Sequence, residues 1–283
     1  MKKNQKGFSA IAVIIVIVVL LVAGFAGYKV LGSNKKQNDF KPKSDSSNSS
    51  SAQQAGFMWR QTASGWEAEG EAPACPAQPM LKSPADLSKA TSVLYPGQTR
   101  GGTSYKPHGG LRFNNSTDNA ITVTAPFDGY IVKAARNFAQ GTTEVQYDFD
   151  IMSNCGVMTR FGHLRELPGK LQQIVEKLPE PTEDSTIQNI SQPVYVKQGE
   201  VLATKVGLLS EKNTFFDWGV FDYRQENEAS KSPDYKAAHP QGDLTWHAVC
   251  WLQNGWLPAS DQTTLAALPA GDPTSGKTSD YCK

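Results

Sequence analysis

The sequence predicts an all-β core with short helices, preceded by an N-terminal transmembrane helix. An uncharged apolar stretch of 22 residues lies near the start, at Gly7–Tyr28. Between residues 101 and 224, short runs rich in β-branched and aromatic residues alternate with turn residues, which is typical of β-strands joined by tight loops. The chain has 283 residues, enough for one sizeable domain plus appendages, because a domain usually takes about 100 to 200 residues.

The N-terminus predicts a membrane anchor. After a short basic segment, residues 1–6, the apolar residues 7–28 are long enough as a helix to cross a hydrocarbon core of about 30 Å. No A-x-A cleavage site follows, so we expect an uncleaved signal anchor over residues 7–31. Lysines both precede and follow this segment, and charge alone therefore leaves its orientation open.

The four cysteines predict an extracytoplasmic location for the domain. The four cysteines, Cys75, Cys155, Cys250 and Cys282, have no C-x-x-C spacing that would suggest zinc or redox chemistry. Disulfides in an oxidising space account for them best, which indicates a single-pass protein of the cell membrane with an extracytoplasmic domain. Of the three possible pairings we favour Cys250 with Cys282 and Cys75 with Cys155, because the first pair would staple a Pro-rich tail to the domain.

Two segments separate the anchor from the β core. Residues 32–56 are Ser, Asn, Gln, Lys and Asp with few apolar side chains, a composition that predicts a disordered tether. Residues 57–100 form a lead-in segment with a short helix expected at Ser83–Thr91, begun by the Ser-Pro pair.

The β core is expected at residues 101–224, followed by a disulfide-stapled extension over 225–283. The predicted strands are Ile121–Thr124, Gly129–Ala134, Thr143–Phe149, Val157–His163, Pro193–Val196, Val201–Val206 and Phe215–Phe221. Short helices are expected at Gly169–Leu178 and Asp261–Leu268. Trp246, Trp251 and Trp256 lie close together in the extension, where they either stack on a sugar or cover the edge of the core.

The charge balance argues against nucleic acid as a partner. Lys plus Arg number 28 and Asp plus Glu number 27, which gives a net charge of +1. A nucleic-acid binder needs a basic surface, and this composition supplies none in excess.

Five phrases in order resemble the M23 (LytM/lysostaphin-type) peptidase family. They are HGGLR at 108–112, TAPFDGYIV at 124–132, RFGHL at 160–164, VKQGEVL at 196–202 and FDWGVFDYR at 216–224. Together they cover less than half of the chain. The resemblance implies a β sandwich or barrel of the duplicated hybrid motif type, with a peptidoglycan-cleaving zinc site as its ancestral function.

The same resemblance implies that the zinc site is incomplete. His108 matches the first ligand, but Arg112 stands where the family has an aspartate ligand, and a guanidinium has no lone pair to coordinate a metal. His163 matches the histidine of the Y-G-H-L strand.

The closing strand also lacks the family's H-x-H. Aligned on Phe221-Asp222, the two histidine positions hold Trp218 and Val220, and a shift by one gives Asp217 and Gly219. The remnants His108 and His163 do not form a catalytic set, and we expect no metal and no cofactor. Candidate ligand-binding residues are His108, Arg112, His163, Asp217 and Trp218.

The expected function is a non-catalytic domain that binds peptidoglycan or regulates a cell-wall hydrolase. The alternative is an active zinc metalloendopeptidase that cleaves peptide cross-bridges through a rearranged site, recruiting His239 or His247 with Asp217 or Asp222. A third class is a carrier domain, since A-P-x-D-G hairpins also occur in biotinyl and lipoyl domains, but the Met-Lys-Met attachment turn is absent from the sequence.

Overall fold

The computed structural model describes residues 57–62, 65–71, 73–240 and 242–283. The expected anchor at 7–31 and tether at 32–56 lie outside the described residues. Within the described part of the chain, no helix is both long and apolar enough to span a membrane.

A single antiparallel sheet of eight strands forms the centre of the molecule. Its strands follow the order β11-β8-β9-β10-β14-β6-β3, and β13 adds to β10. Their bounds are β3 Ser92–Leu94, β6 Gly109–Arg112, β8 Gly129–Phe138, β9 Val145–Met152, β10 Val157–Arg165, β11 Gln188–Val196, β13 Lys205–Val206 and β14 Phe215–Asp222. The expected all-β core is thus confirmed at the level of fold class.

Three small antiparallel pairs surround this sheet. They are β1 with β2 at Met58–Thr62 and Gly65–Glu69, β4 with β5 at Gln98–Arg100 and Ser104–Lys106, and β7 with β12 at Val123–Thr124 and Val201–Ala203. The predicted strand Val201–Val206 is therefore split between two sheets, because β12 pairs with β7 whereas β13 pairs with β10.

The helices are short and peripheral. They are α1 Gly169–Val175, α2 Pro233–Ala238, α3 Gly242–Thr245 and α4 Ala259–Ala267, with 3-10 turns at Leu87–Lys89 and Ala229–Lys231. The expected helix at Ser83–Thr91 is wrong apart from the first of these turns. The chain becomes extended at Ala90 and joins the sheet, where Thr91 N donates to Arg112 O at 2.8 Å.

The main hydrophobic core lies on one face of the large sheet, and a smaller buried cluster of Met152, Met158, Phe221 and Ala248 lies on the opposite face. Phe161, Phe216 and Trp218 are fully buried in the main core, and Trp251 of the C-terminal extension packs on Trp218 with ring centroids 4.1 Å apart. Trp256 is buried as well, at 6% exposure. These tryptophans therefore cover the core edge and do not form an open sugar platform.

Two disulfides hold the outer segments to the sheet. Cys75 is bonded to Cys155 and Cys250 to Cys282, which is the pairing favoured from the sequence. The first links the lead-in segment to the β9–β10 turn, and the second fastens the tail beside Trp251. Both are consistent with an oxidising, extracellular environment.

Candidate functional site

The face of the large sheet opposite the core carries an open polar cleft of about 650 Å³. Side chains alternate along a strand, so neighbouring residues of β14 point to opposite faces. Trp218 enters the core, while Asp217 lines the cleft. The two positions of the first alignment, Trp218 and Val220, are therefore buried, and of the two positions given by the shift of one residue, Asp217 lines the cleft.

Asp217 is the centre of the cleft floor. Its Oδ2 lies 3.0 Å from His108 Nε2 and 3.4 Å from His163 Nε2. Its Oδ1 accepts a hydrogen bond from Arg100 Nη1 at 3.0 Å. The structure thus brings together the two remnant histidines and Asp217, and it adds a guanidinium that the sequence did not suggest.

Strand pairing explains why these groups meet. Asp217 is opposite Gly110 of β6 on one side and Gly162 of β10 on the other. A Cβ at Gly110 would lie 2.5 Å from Phe216 O, and a Cβ at Gly162 would lie 2.9 Å from Asp148 Oδ1. A side chain at Gly110 would therefore clash with the backbone of β14, and one at Gly162 would displace the Asp148 carboxyl group.

A bulge in β10 turns His163 toward the cleft. The register shifts between Phe161 and Leu164, and His163 adopts a φ of 62°. A positive φ is uncommon for a residue with a side chain and involves local strain, so other contacts must hold His163 in place. Its ring stacks at 4.5 Å on Phe215, and its backbone N donates to Asp148 Oδ1 at 3.3 Å.

The hydrogen bonds of His163 favour the charged imidazolium. Gln146 Nε2 donates to Gly207 O at 2.9 Å, which turns Gln146 Oε1 toward His163 Nδ1 at 2.7 Å. Nδ1 must therefore donate, while Nε2 faces the Asp217 carboxylate and donates as well. Burial lowers the pKa of His163, but the hydrogen bond and charge of Asp217, with the charge of Asp148, raise it above 6.5 overall.

His108 behaves in the opposite way. Burial lowers its pKa below 6.5 despite the attraction of Asp217, and Arg100 and Lys106 lower it further. A neutral His108 can still donate its Nε2 proton to Asp217. Although burial opposes ionisation of Asp217, His108, Arg100 and the hydrogen bonds from both histidines hold its pKa well below 3.8.

A second carboxyl group, Asp148 of β9, lies beside His163. Burial raises the pKa of Asp148 to about 6, against the lowering effect of the His163 and Arg160 charges. Arg160 pairs with Asp150 and not with Asp148, since its Nε and Nη2 each donate a hydrogen bond to the buried Asp150 at 2.6 Å. Asp148 is therefore the floor carboxyl that is least satisfied by its neighbours.

Arg112 and Trp218, both expected to bind ligand, lie outside the cleft. The guanidinium of Arg112 is 5.6 Å from the Phe215 ring centre and its Nη1 reaches Asn213 Oδ1 at 3.4 Å. Trp218 donates its Nε1 proton to Thr159 Oγ1 at 2.8 Å inside the core. Arg112 is four residues along the chain from His108, and a straight strand carries it away from the cleft floor.

The histidines of the rearranged-site alternative are also elsewhere. His239 stacks on Tyr105 with centroids 4.0 Å apart, and His247 Nδ1 contacts Gln225 O at 2.9 Å. Asp222 forms an ion pair with Arg224 at 2.7 Å. Of that proposed set, only Asp217 lines the cleft.

Sequence reasoning missed several cleft residues. Gln146, Asp148 and Asp150 alternate with aromatic and aliphatic residues in β9, a period-2 pattern that could have marked a polar face. Arg100 belongs to the separate β4–β5 hairpin, and no local sequence signal connects it with Asp217.

The geometry does not fit a zinc site of the family type. Such a site needs three protein ligands whose lone pairs converge on the metal. Here both Nε2 atoms direct protons at Asp217 Oδ2, and Arg100 places a positive charge on Oδ1. Among the described residues, no group of three or more His, Cys, Asp or Glu is placed to hold a metal ion.

Comparisons with protein-family models, with curated proteins and with solved structures found no match for this chain.

Proposed function

We propose that this chain is a membrane-anchored, extracytoplasmic protein whose β domain is a degenerate, non-catalytic relative of the M23 peptidases and binds peptidoglycan through its cleft. The five ordered phrases between His108 and Arg224 support the family assignment. The two disulfides support the extracytoplasmic location, and the apolar residues 7–28 support the anchor.

One observation carries the non-catalytic part of the proposal: the carboxylate of Asp217 is already paired with the guanidinium of Arg100. The guanidinium is 13% exposed and the carboxylate 16%, so the ion pair is mostly shielded from water. Removing one partner of a buried pair leaves an uncompensated charge, which typically costs about 3 to 5 kcal/mol. A divalent cation at Asp217 would have to displace Arg100 and would also be repelled by the His163 imidazolium.

The open cleft supports the binding part of the proposal. Its volume of about 650 Å³ falls in the range of pockets that enclose a drug-sized or peptide ligand. Its floor is made of hydrogen-bonding groups held by strand pairing, which gives a rigid surface for a polar ligand. Wall stem peptides are extended polar chains of suitable size.

Metal analysis tests whether the domain is catalytic. The full chain in detergent is equilibrated with excess zinc, dialysed, and assayed for bound metal and for release of peptides from purified sacculi. We expect substoichiometric zinc, unchanged in His108→Ala. Near-stoichiometric zinc that His108→Ala abolishes, together with chelator-sensitive digestion, would show an active peptidase.

Sedimentation with sacculi tests binding. We expect the full chain to be retained and His163→Ala to be retained less, because the variant loses the charged group of the cleft floor. His247→Ala is the matched control, since His247 lies outside the cleft. Equal loss of retention in both variants, or no retention of the unmodified chain, would contradict the proposal.

A further inference from the structure

Two charged side chains of the cleft, Lys106 and Asp148, form no ion pair within the part of the chain that the structure describes. Lys106, at the end of β5, lines the cleft and forms no ion pair or hydrogen bond through its side chain within the described part of the chain. It lines the same cavity as His108 and His163, and its charge lowers the pKa of both rings. Asp148 has only the 3.3 Å bond from the His163 backbone N.

These two groups have opposite charges and flank the same ring. Asp148, on β9, is adjacent to His163, on β10. Lys106 lies on the β4–β5 hairpin and lines the same cavity as the histidines. A ligand that covers His163 can therefore meet an ammonium group of the protein on one side and a carboxylate on the other. This arrangement suits a ligand that itself carries both charges close together.

Asn137 of β8 provides an independent sign of a missing partner. Its side chain lines the cleft and the residue is only 7% exposed. Nδ2 donates to Phe138 O at 3.3 Å, which fixes the amide orientation, and Oδ1 has no hydrogen-bond partner. A buried acceptor left unpaired is unfavourable by about 1 to 3 kcal/mol, and a donor in the cleft would relieve this penalty once the Asn137 side chain turns Oδ1, which has no exposed surface, toward it.

The wall next to Asn137 is rich in acceptors. Phe138 N donates to Thr182 O at 2.7 Å, and this contact brings the following loop residues Glu183 and Ser185 to the rim of the cleft. Glu183 is exposed and forms no ion pair among the residues that the structure describes. The acceptors therefore lie on the β8–β9 side, whereas the unpaired cation lies on the β5 side.

We infer that the cleft recognises the zwitterionic end of an amino acid, with Lys106 binding the carboxylate and Asp148, supported by the Asn137 and Glu183 acceptors, binding the ammonium group. This inference rests on the proposed function and specifies which part of a wall peptide is bound. An uncrosslinked stem peptide with a diamino dicarboxylic acid has such an end, with both charges on one carbon. A stem peptide with lysine at that position has the ammonium group alone.

Calorimetry with three synthetic tripeptides tests the inference on the full chain in detergent. The probes are acetyl-Ala-γ-Glu-diaminopimelic acid, the same peptide acetylated also on the distal amino group of diaminopimelic acid, and acetyl-Ala-γ-Glu-Lys. We expect the first to bind about tenfold or more tightly than either of the others, because each loses one charge-assisted hydrogen bond. Similar affinity for all three would overturn the inference.

Two variants assign the two ends of the ligand. Lys106→Met should weaken the diaminopimelate probe about tenfold and leave the lysine probe unchanged, whereas Asp148→Asn should weaken both. Lys177→Met is the matched control, because Lys177 is an exposed lysine outside the cleft. Loss of binding in the control, or no change in Lys106→Met, would contradict the assignment.

Failure of this inference is distinguishable from failure of the proposed function. If sacculi retain the chain but the three tripeptides bind equally or not at all, the zwitterion inference fails and peptidoglycan binding stands. If sacculi do not retain the chain, the proposed function fails, whatever the tripeptides show.

Discussion

The two faces of the central sheet are built from the same strands and make opposite contributions to the protein. On the core face, Phe161, Phe216 and Trp218 are fully buried and pack against each other and Trp251. On the cleft face, the alternate residues Asp148 and Asp217 face each other across Gly162. The first face stabilises the fold by burying apolar surface, and the second face holds charges whose burial is unfavourable.

This contrast indicates that the buried polar groups of the cleft lower the free energy of unfolding of the domain. Among the described residues, Asp148 is partly buried and forms no ion pair within salt-bridge distance, and Asn137 Oδ1 is buried without a donor. Groups of this kind persist in native proteins mainly at sites of function, where a ligand supplies the missing interaction. The following variants test that contrast, from the largest expected effect to the smallest.

Trp218→Ala should have the largest effect. It removes an indole that is fully buried between Phe161 and Trp251, and such truncations lower the free energy of unfolding by about 3 to 5 kcal/mol. Guanidinium unfolding followed by circular dichroism measures the change. A loss below about 1 kcal/mol would show that Trp218 faces the cleft and not the core.

Asp217→Ala should lower the free energy of unfolding by about 3 kcal/mol at pH 7, because it leaves Arg100 and His163 as unpaired positive neighbours. Since the pKa of Asp217 is depressed, this stabilisation is present above about pH 4 and is lost as the pH falls through the folded-state pKa. Urea unfolding at pH 7 and pH 3 checks both points. Glu183→Ala, a cleft acid with no ion pair in the described residues, should leave stability unchanged at either pH.

Asp148→Asn should stabilise the protein, in contrast to Asp217→Ala. The pKa of Asp148 is raised from 3.8 to about 6, so its ionised form is disfavoured in the folded state. Above pH 6 the variant should gain about 1 to 2 kcal/mol, a value reduced from the full shift because the side chain is partly exposed. Below pH 3.8 both forms are neutral and the difference should vanish. Destabilisation at pH 7.5 would mean that the carboxylate has a partner that compensates its burial.

The pKa values of the two histidines should be shifted in opposite directions from the usual value of 6.5. His163 is expected above it, because of Asp217 and Asp148, and His108 below it, because of burial. The stabilisation from His163 is complete below pH 6.5 and is lost as the pH rises through its folded-state pKa. Imidazole nitrogen shifts in NMR spectra measure both midpoints, and a reversed order would refute the charge assignment of the cleft floor.

Much of the fold could be predicted from local patterns. The long runs in β8, β10 and β14 were found because β-branched and aromatic residues cluster there between turn residues. The predicted strand ends were less accurate. β8 extends to Phe138 and β11 begins at Gln188, both beyond the predicted bounds, because pairing with a neighbour lengthens a strand beyond its apolar part. The helix expected at Ser83–Thr91 failed because Thr91 bonds to the sheet edge.

The site was predicted only in part. His108, His163 and Asp217 were candidates from the sequence, and the structure places Asp217 within 3.4 Å of both histidines. Arg112 and Trp218 were candidates too. Trp218 lies on the core face, because a step of one residue along a strand moves the side chain to the other face. Arg112 lies on the same face as Asp217 but at the far end of β6, opposite Phe215 and outside the cleft lining.

The sequence by itself determined the all-β character, the four cysteines and the residue types at the positions compared with the M23 site. These follow from composition, spacing and side-chain chemistry, which need no knowledge of distant contacts. Only the tertiary structure decided that Arg100 bonds Asp217 and that Lys106 and Asp148 flank His163. The physical reason is that these groups lie on β4, β5, β9, β10 and β14, and only the pairing and packing of distant strands brings their charges together.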